Sequence, residues 1–237
     1  MYLKKVTILR DKFPTEAYYP FNLEIFKNTA SIDLTSPVTI FTGENGTGKS
    51  TLLEAISRRC GIYIWEGEYR PRQKNNPYCR QMHNAISVEW VDETVPGSFF
   101  SSDVHRHFSL LLDEWAISNP GLFEYFGGKS LVTQSHGQGI ISFFKARYKI
   151  KGLYIMDEPE TALSPATQIE LVNILKEMAE KGHAQFIIAT HSPILMACPG
   201  AKLLNFDNNT ITETTYFETQ HYKIYKDFME DNSRYIQ

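Results

Sequence analysis

Positions 43–51 read GENGTGKST, in which Gly43, Gly48, Lys49 and Ser50 match the spacing GxxxxGK[ST]. Glycines let the backbone curl until successive N–H groups converge on phosphate oxygens. Gly46 eases the same turn, and a helix starting near Lys49 points its positive dipole end at the same place. Lys49 adds a full charge, and Ser50 offers a hydroxyl to Mg²⁺. The whole segment, Gly43, Glu44, Asn45, Gly46, Thr47, Gly48, Lys49, Ser50 and Thr51, is therefore the candidate triphosphate loop. The loop alone selects no reaction, because kinases, GTPases and motor ATPases share it.

Further along, GLYIMDEPE ends an apolar run in Asp157 and Glu158. An apolar strand ending in a carboxylate sets an acid beside Mg²⁺, the role assigned to Asp157. Period-two geometry turns Glu158 to the other side, where it could polarise an attacking water. Glu160, in the same loop, is expected to be a surface carboxylate. His191 follows another apolar run, FIIAT, on the edge where parallel sheets bind ligands, so it could reach a γ-phosphate and the water. Ser192 suits the cap of the short SPILMA helix better than His191 does. In QSHGQG, Ser135 and Gly137 at the start of an amphipathic helix form a second anion site, with N–H groups and a dipole but no lysine.

The elements that must position these residues can be traced in the same sequence. YLKKVTIL (2–9), LEIF and PVTIF are expected as strands, and Lys49–Arg59 as a helix. Between Gly61 and Gly128 the pattern is irregular, with AISVEWV followed by the helical VHRHFSLLLDEWAI. This stretch is taken as a smaller lobe, about 61–129, inserted in one domain of 1–237 whose core is about 1–60 and 130–237. Then GLYIM (strand), 165–181 (helix), AQFIIAT (strand), SPILMA (helix), and the closing strands KLLNF and TITETTYF alternate cleanly. That alternation predicts an α/β fold with a mostly parallel sheet flanked by helices; the N-terminal strands are expected to be antiparallel. The tail carries Tyr222, Ile224, Tyr225 and Phe228 at helical spacing, expected as a helix docked on the core, with a partner-binding helix as the alternative.

The chain has 237 residues, 42% apolar and 22% charged, with a net charge of −3, values ordinary for a folded soluble protein. That charge supplies no global attraction to nucleic acid or an anionic membrane, so either partner would need a local patch. The one basic run, YRPRQKNNPYCR, is expected as a solvated loop, with nucleic-acid contact as the alternative. No apolar run is long enough to cross a bilayer and no signal peptide is visible, which makes the cytoplasm the expected location. Cys60, Cys79 and Cys198 lack a CxxC pair and fit reduced thiols. Asp103, His105 and His107, with Cys79 and His83 upstream, match no zinc spacing.

On these motifs the sequence resembles the ATP-binding cassette ATPases over nearly its whole length. GENGTGKST corresponds to Walker A, LYIMDE to Walker B, TALS to the D-loop and His191 to the switch histidine. Gln134, Ser135, His136, Gly137 and Gln138 correspond to the family's LSGGQ signature, with Gln134 and His136 replacing its Leu and first Gly. GENGTGKSTLLEAI, DEPETALSP and IIATHSPIL look more like the Rad50, RecF and SMC-like branch, with its small stand-alone ATPases, than like transporter subunits. Ser164 stands where transporters usually have the Asp of SALD. The resemblance implies ATP and Mg²⁺ as ligands and hydrolysis to ADP and phosphate. Glu158 would be the general base, and Ser50 and Asp157 the metal ligands. It also implies a head-to-tail homodimer in which Ser135, Gly137 and Gln138 act on the partner's nucleotide, with DNA or a protein as a further partner. A transporter's ATP-binding subunit, or a nucleotide-gated regulatory module, is the competing role. The family's Q-loop glutamine has no clear counterpart: neither Gln73 nor Gln81 follows a convincing strand, and the comparable position falls near Ser102 or Asp103. Tyr18, Tyr19 and Phe21 are candidates for stacking on adenine, and equally for core or interface packing.

Overall fold

The computed structural model describes residues 1–65, 76–119, 121, 124, 128, 130 and 136–236, without the side chains of 103–108 and His136. In chain order its elements are β1 (Leu3–Ile8), α1 (Glu24–Asn28), β2 (Ser31–Asp33), β3 (Val38–Thr42), α2 (Lys49–Arg59), β4 (Ile86–Trp90), β5 (Gly97–Ser101) and α3 (Ser102–Ser118). They continue with α4 (His136–Arg147), β6 (Gly152–Asp157), α5 (Pro165–Glu180), β7 (Ala184–Ala189), α6 (Pro193–Met196), β8 (Lys202–Asn205), β9 (Thr212–Thr214) and α7 (Gln220–Glu230).

The continuous apolar runs of β3, β6 and β7 become strands buried at nearly every position, as a parallel sheet covered on both faces requires. They lie within a six-stranded sheet of order β5-β6-β7-β3-β8-β9, parallel except for the final β8–β9 pair. Alternate residues of each strand go to opposite faces. Leu153, Ile155, Ile187 and Phe41 pack with Leu52, Leu53 and Ile56 of α2, while Tyr154, Met156, Phe186 and Ile188 pack with Ile140 and Phe144 of α4 and Leu171 and Leu175 of α5. A second, antiparallel sheet, β2-β1-β4, joins the first of these two clusters. Fully buried Gln185 of β7 ties the two sheets together. Its Oε1 accepts from the backbone N–H groups of Tyr2 (2.7 Å) and Leu3 (2.8 Å), and its Nε2 donates to the Leu3 carbonyl (2.8 Å).

The α/β class, the mostly parallel sheet and the antiparallel N-terminal strands are as the sequence predicts. LEIF is not a strand. It lies at the start of α1, which buries Ile25 and Phe26 and keeps a Glu24–Lys27 ion pair (3.0 Å) on its outer side. Four apolar or amphipathic residues fit either period, and the i, i+3 pair belongs to a helix. Within 61–129, β4 pairs with β1 and β5 forms the edge of the central sheet beside β6. The tail forms α7, but none of its residues is buried, so it is not docked through an apolar face: Ile224, Tyr225, Phe228 and Met229 stay 40–80% exposed. Among the described residues no helix is long and apolar enough to cross a membrane.

Candidate active site

The register of the central strands decides what meets what. Phe41 of β3 and Asp157 of β6 both pair with Ala189 of β7, so the three strands end level. Their exits are tied by two further hydrogen bonds, Glu158 N–H to the Ala189 carbonyl (2.9 Å) and Thr190 N–H to the Phe41 carbonyl (3.2 Å). The glycine loop, the residues following β7 and the acidic pair therefore emerge side by side at the carboxyl edge, where parallel sheets bind ligands.

In the loop, Glu44, Asn45 and Gly46 form an exposed tip, and Thr47 donates its hydroxyl to the Glu44 carbonyl (2.9 Å). Gly48 needs to be glycine twice over. Its φ of 101° is left-handed, and a Cβ there would lie 2.7 Å from the Phe26 ring. No side chain caps α2 behind it. The first N–H groups of that helix are thus available to an anion together with its dipole. Lys49, only 4% exposed, donates from Nζ to the carbonyls of Gly43 (2.7 Å) and Glu44 (2.8 Å), which holds the ammonium inside the loop. Burial lowers its pKa, opposed by the carboxylates of Glu158, Asp207 and Asp157. Asp207 belongs to none of the sequence motifs. It accepts the Glu44 N–H (2.6 Å) and so shapes the loop from the far side. It lies just past KLLNF, at the carboxyl end of the parallel strand next to β3; the argument that selects His191 selects it too.

Ser50 Oγ donates to Asp157 Oδ1 at 2.9 Å, which brings the two predicted metal ligands together. Burial pushes the Asp157 carboxyl up to about 7, and the Ser50 hydrogen bond only partly opposes it. A buried carboxylate beside a hydroxyl is the donor chemistry that a hard divalent cation takes, so these residues fit Mg²⁺. Glu158 is the sole non-glycine residue with positive φ among the described residues (φ 45°, ψ 55°). That conformation costs on the order of 1 kcal/mol or more and is found where surrounding structure enforces it. Here it follows the Glu158 N–H bond to β7 and leaves a carboxylate oxygen 3.5 Å from His191 Nε2.

His191 is held on three sides. Its backbone N–H donates to Glu160 Oε1 (2.6 Å), its Nε2 faces Glu158, and its Nδ1 lies 2.9 Å from Nε2 of His221 in α7. Burial, then the Lys49 charge, lowers the His191 pKa, and burial lowers that of His221, so both rings are neutral near pH 7. Glu160 is not a surface carboxylate as expected. It turns inward to the His191 backbone, and burial raises its pKa against that hydrogen bond. Ser192 does cap α6, accepting from Ile194 N–H (3.1 Å) and Leu195 N–H (3.3 Å), and its hydroxyl donates to Gln168 Oε1 (2.6 Å).

At the expected second anion site, α4 begins at His136, with Gly137 half-buried and Gln138 exposed; Gln134, Ser135 and the His136 side chain lie outside the described residues. A Cβ on Gly137 would approach the Ala162 carbonyl at 3.4 Å, which places the start of α4 against the turn that follows Glu158. Ser102, directly after β5, shares a hydrogen bond with Thr161 of that same turn (2.5 Å). Gln81 precedes β4 and donates to the Pro77 carbonyl (3.0 Å), while Gln73 and the Asp103 side chain lie outside the described residues, as does most of the basic run. Of the three aromatic candidates, Phe21 is fully buried in the core and cannot stack on a base. Tyr19 is exposed and its hydroxyl meets that of Thr51, and Tyr18 leans on Tyr78. A cavity of about 770 Å³ borders His191 between α5, α6 and α7, lined largely by apolar groups such as Ile169, Val172, Pro193, Tyr222 and Met229, a chemistry unsuited to a triphosphate.

A family model described as an AAA ATPase domain matches residues 107–196, from within α3 to the end of α6. The thiamine import ATP-binding protein ThiQ of Ruegeria sp. (strain TM1040) is 27% identical over 173 residues, covering 70% of this chain and 74% of that protein. The ADP conformation of an ATP-binding cassette of an ABC transporter superposes with a TM-score of 0.51 at 17% identity, covering 98% of this chain and 96% of that one. An SMC head bound to the C-terminal winged-helix domain of ScpA gives 0.55 at 13% identity, covering 91% and 98%, a likeness of fold. Triphosphate loop, acid beside its serine, adjoining glutamate and interposed histidine thus stand in an ABC-type P-loop ATPase fold, and the chain is similar in sequence to an ATP-binding protein of an import system and in architecture to an ATP-binding cassette and an SMC head.

Proposed function

We propose that this chain hydrolyses ATP to ADP and phosphate in the cytoplasm, as a head-to-tail dimer that closes on ATP and opens after hydrolysis. The observation that carries the reading is the convergence of Lys49, Ser50, Asp157, Glu158 and His191 at the level ends of three adjacent strands. In this reading the loop amides and Lys49 hold the β and γ phosphates, and Ser50 and Asp157 would hold Mg²⁺. When bound, that ion neutralises charge on the phosphate oxygens. Glu158 orients a water for attack on the γ-phosphorus and takes its proton as the bond to the β-phosphate oxygen breaks. His191 donates from Nε2 to a γ-phosphate oxygen. A second copy closes the site with its residues 135–138; Gln138, exposed in the first turn of α4, supports this.

Replacing Glu158 by Gln removes the base and keeps the shape. Turnover is expected to fall by about 10²–10⁴-fold, and the variant should accumulate as an ATP-bound dimer in light scattering. A parent protein that dimerises with ATP and Mg²⁺ while Glu158→Gln stays monomeric overturns the cycle. For the coupled partner, the relative named as an ATP-binding protein of thiamine import favours a membrane transport subunit over DNA, and the net charge of −3 gives DNA no help. ATP turnover stimulated by DNA in a salt-dependent way would reverse that order.

A further inference from the structure

We infer that His221, delivered by the tail helix, is a positioning residue that fixes the tautomer of His191 so that Nε2 carries the proton offered to the γ-phosphate. The inference rests on the role proposed above for His191 and assigns a residue that neither the family's motifs nor the chain's own spacing marks. Between His191 Nδ1 and His221 Nε2, 2.9 Å apart, one nitrogen must donate and the other accept. Both rings are neutral, so the choice at this contact sets the proton at each ring's remaining nitrogen.

Suppose His191 Nδ1–H donates. Its Nε2 is then a bare lone pair facing the Glu158 carboxylate at 3.5 Å, which is repulsive. His221, accepting at Nε2, must carry its proton on Nδ1, a buried atom with no hydrogen-bond partner, and a buried orphan N–H is rare and costly. Suppose instead that His221 Nε2–H donates. His191 Nδ1 accepts, its proton sits on Nε2 toward Glu158 and the phosphate side, and the atom left unpaired on His221 is only a lone pair. The second arrangement turns the 3.5 Å approach to Glu158 from repulsive to attractive, and its buried N–H without a hydrogen bond, His191 Nε2, faces that carboxylate. It is held in place by the start of α7, where buried Thr219 caps the helix by accepting the Tyr222 N–H (3.3 Å), which sets His221 two residues past the cap in the first turn.

The test uses the full chain and four proteins: parent, His221→Gln, His221→Leu and His191→Ala. Glutamine keeps an N–H donor near the place of His221 Nε2, whereas leucine removes it. Loss of the outer-shell partner of a metal-ligating histidine typically costs about 10–100-fold, and the same order is expected for a histidine that offers its proton to phosphate. His221→Leu should therefore lower kcat by that order with little change in KM for ATP, and His221→Gln should restore most of the rate. Two-bond ¹H–¹⁵N correlation on the parent should show the His191 proton on Nε2, and His221→Leu should mix the two tautomers. Equal kcat for the Leu and Gln variants, or a His191 proton on Nδ1 in the parent, overturns the inference while leaving ATP hydrolysis intact. A His191→Ala protein that turns over ATP at the parent rate sinks the phosphate role of His191 and this inference with it.

Discussion

The centre of the sheet and the tail helix contribute to the same cluster of side chains by opposite means. β3, β6 and β7 hold the glycine loop, the acidic pair and His191 on strands buried almost throughout. α7 brings His221 to that cluster without burying any residue of its own, leaning over a cavity beside α5 and α6. Position in the first region is enforced by packing, and in the second by an N-cap, the rings of Tyr216 and Phe217 against Tyr222, and one contact between imidazoles. A functional group can thus be set accurately by elements of very different stability, because accuracy at one atom needs only a well-held anchor nearby.

The largest expected effect lies at the centre. Ile187→Ala, in β7, should cost about 2–5 kcal/mol in denaturant unfolding, the range for truncating a fully buried isoleucine. Ile187→Ala and a tail substitution of equal cost would erase the contrast between the regions. Asp157→Asn probes the boundary, where packing is in conflict with function. The folded-state pKa of Asp157 is raised from 3.8 to about 7, so between those values the folded protein holds a proton that the unfolded chain has lost. Stability of the nucleotide-free protein therefore falls as pH rises through that window and stays low above it. Asparagine abolishes the penalty. At pH 8 the variant should melt above the parent by at least about 2–4 °C, the shift 1 kcal/mol produces at this size, and the gain should shrink toward pH 4. A variant that melts below the parent at pH 8 would show the carboxylate is not strained by burial. The smallest effect belongs to the tail: Ile224→Ser, at a position 47% exposed, should change stability by no more than about 0.5 kcal/mol.

The same contrast explains what could be read from the sequence. GLYIM and AQFIIAT announced themselves because strands covered on both faces must be apolar throughout, and the residues that end them inherit a known edge. Glycines 43, 46 and 48 were legible because their conformations exclude other residues. The strand assigned to LEIF failed because four residues cannot separate a period of two from one of 3.6. Glu160 was misplaced because a loop acid is ordinarily solvated, and only the tertiary fold supplies the His191 N–H that draws it inward. His221 left no trace, since thirty positions separate it from His191 and one histidine on an amphipathic helix carries no pattern. The stripe Ile224, Tyr225 and Phe228 forecast burial, and α7 instead leaves those side chains exposed.

The two backbone hydrogen bonds that lash β3, β7 and β6 together at their ends make a stiff plate of the triphosphate loop, Thr190 and Glu158. Such a plate cannot report its cargo by bending, because shifting one strand end would break ladder bonds shared with its neighbours. Were the proposed ATP cycle to do mechanical work, it would be taken off at the margins, by side chains that swing and by helices whose starts touch the plate, among them α4, whose Gly137 rests on the turn after Glu158.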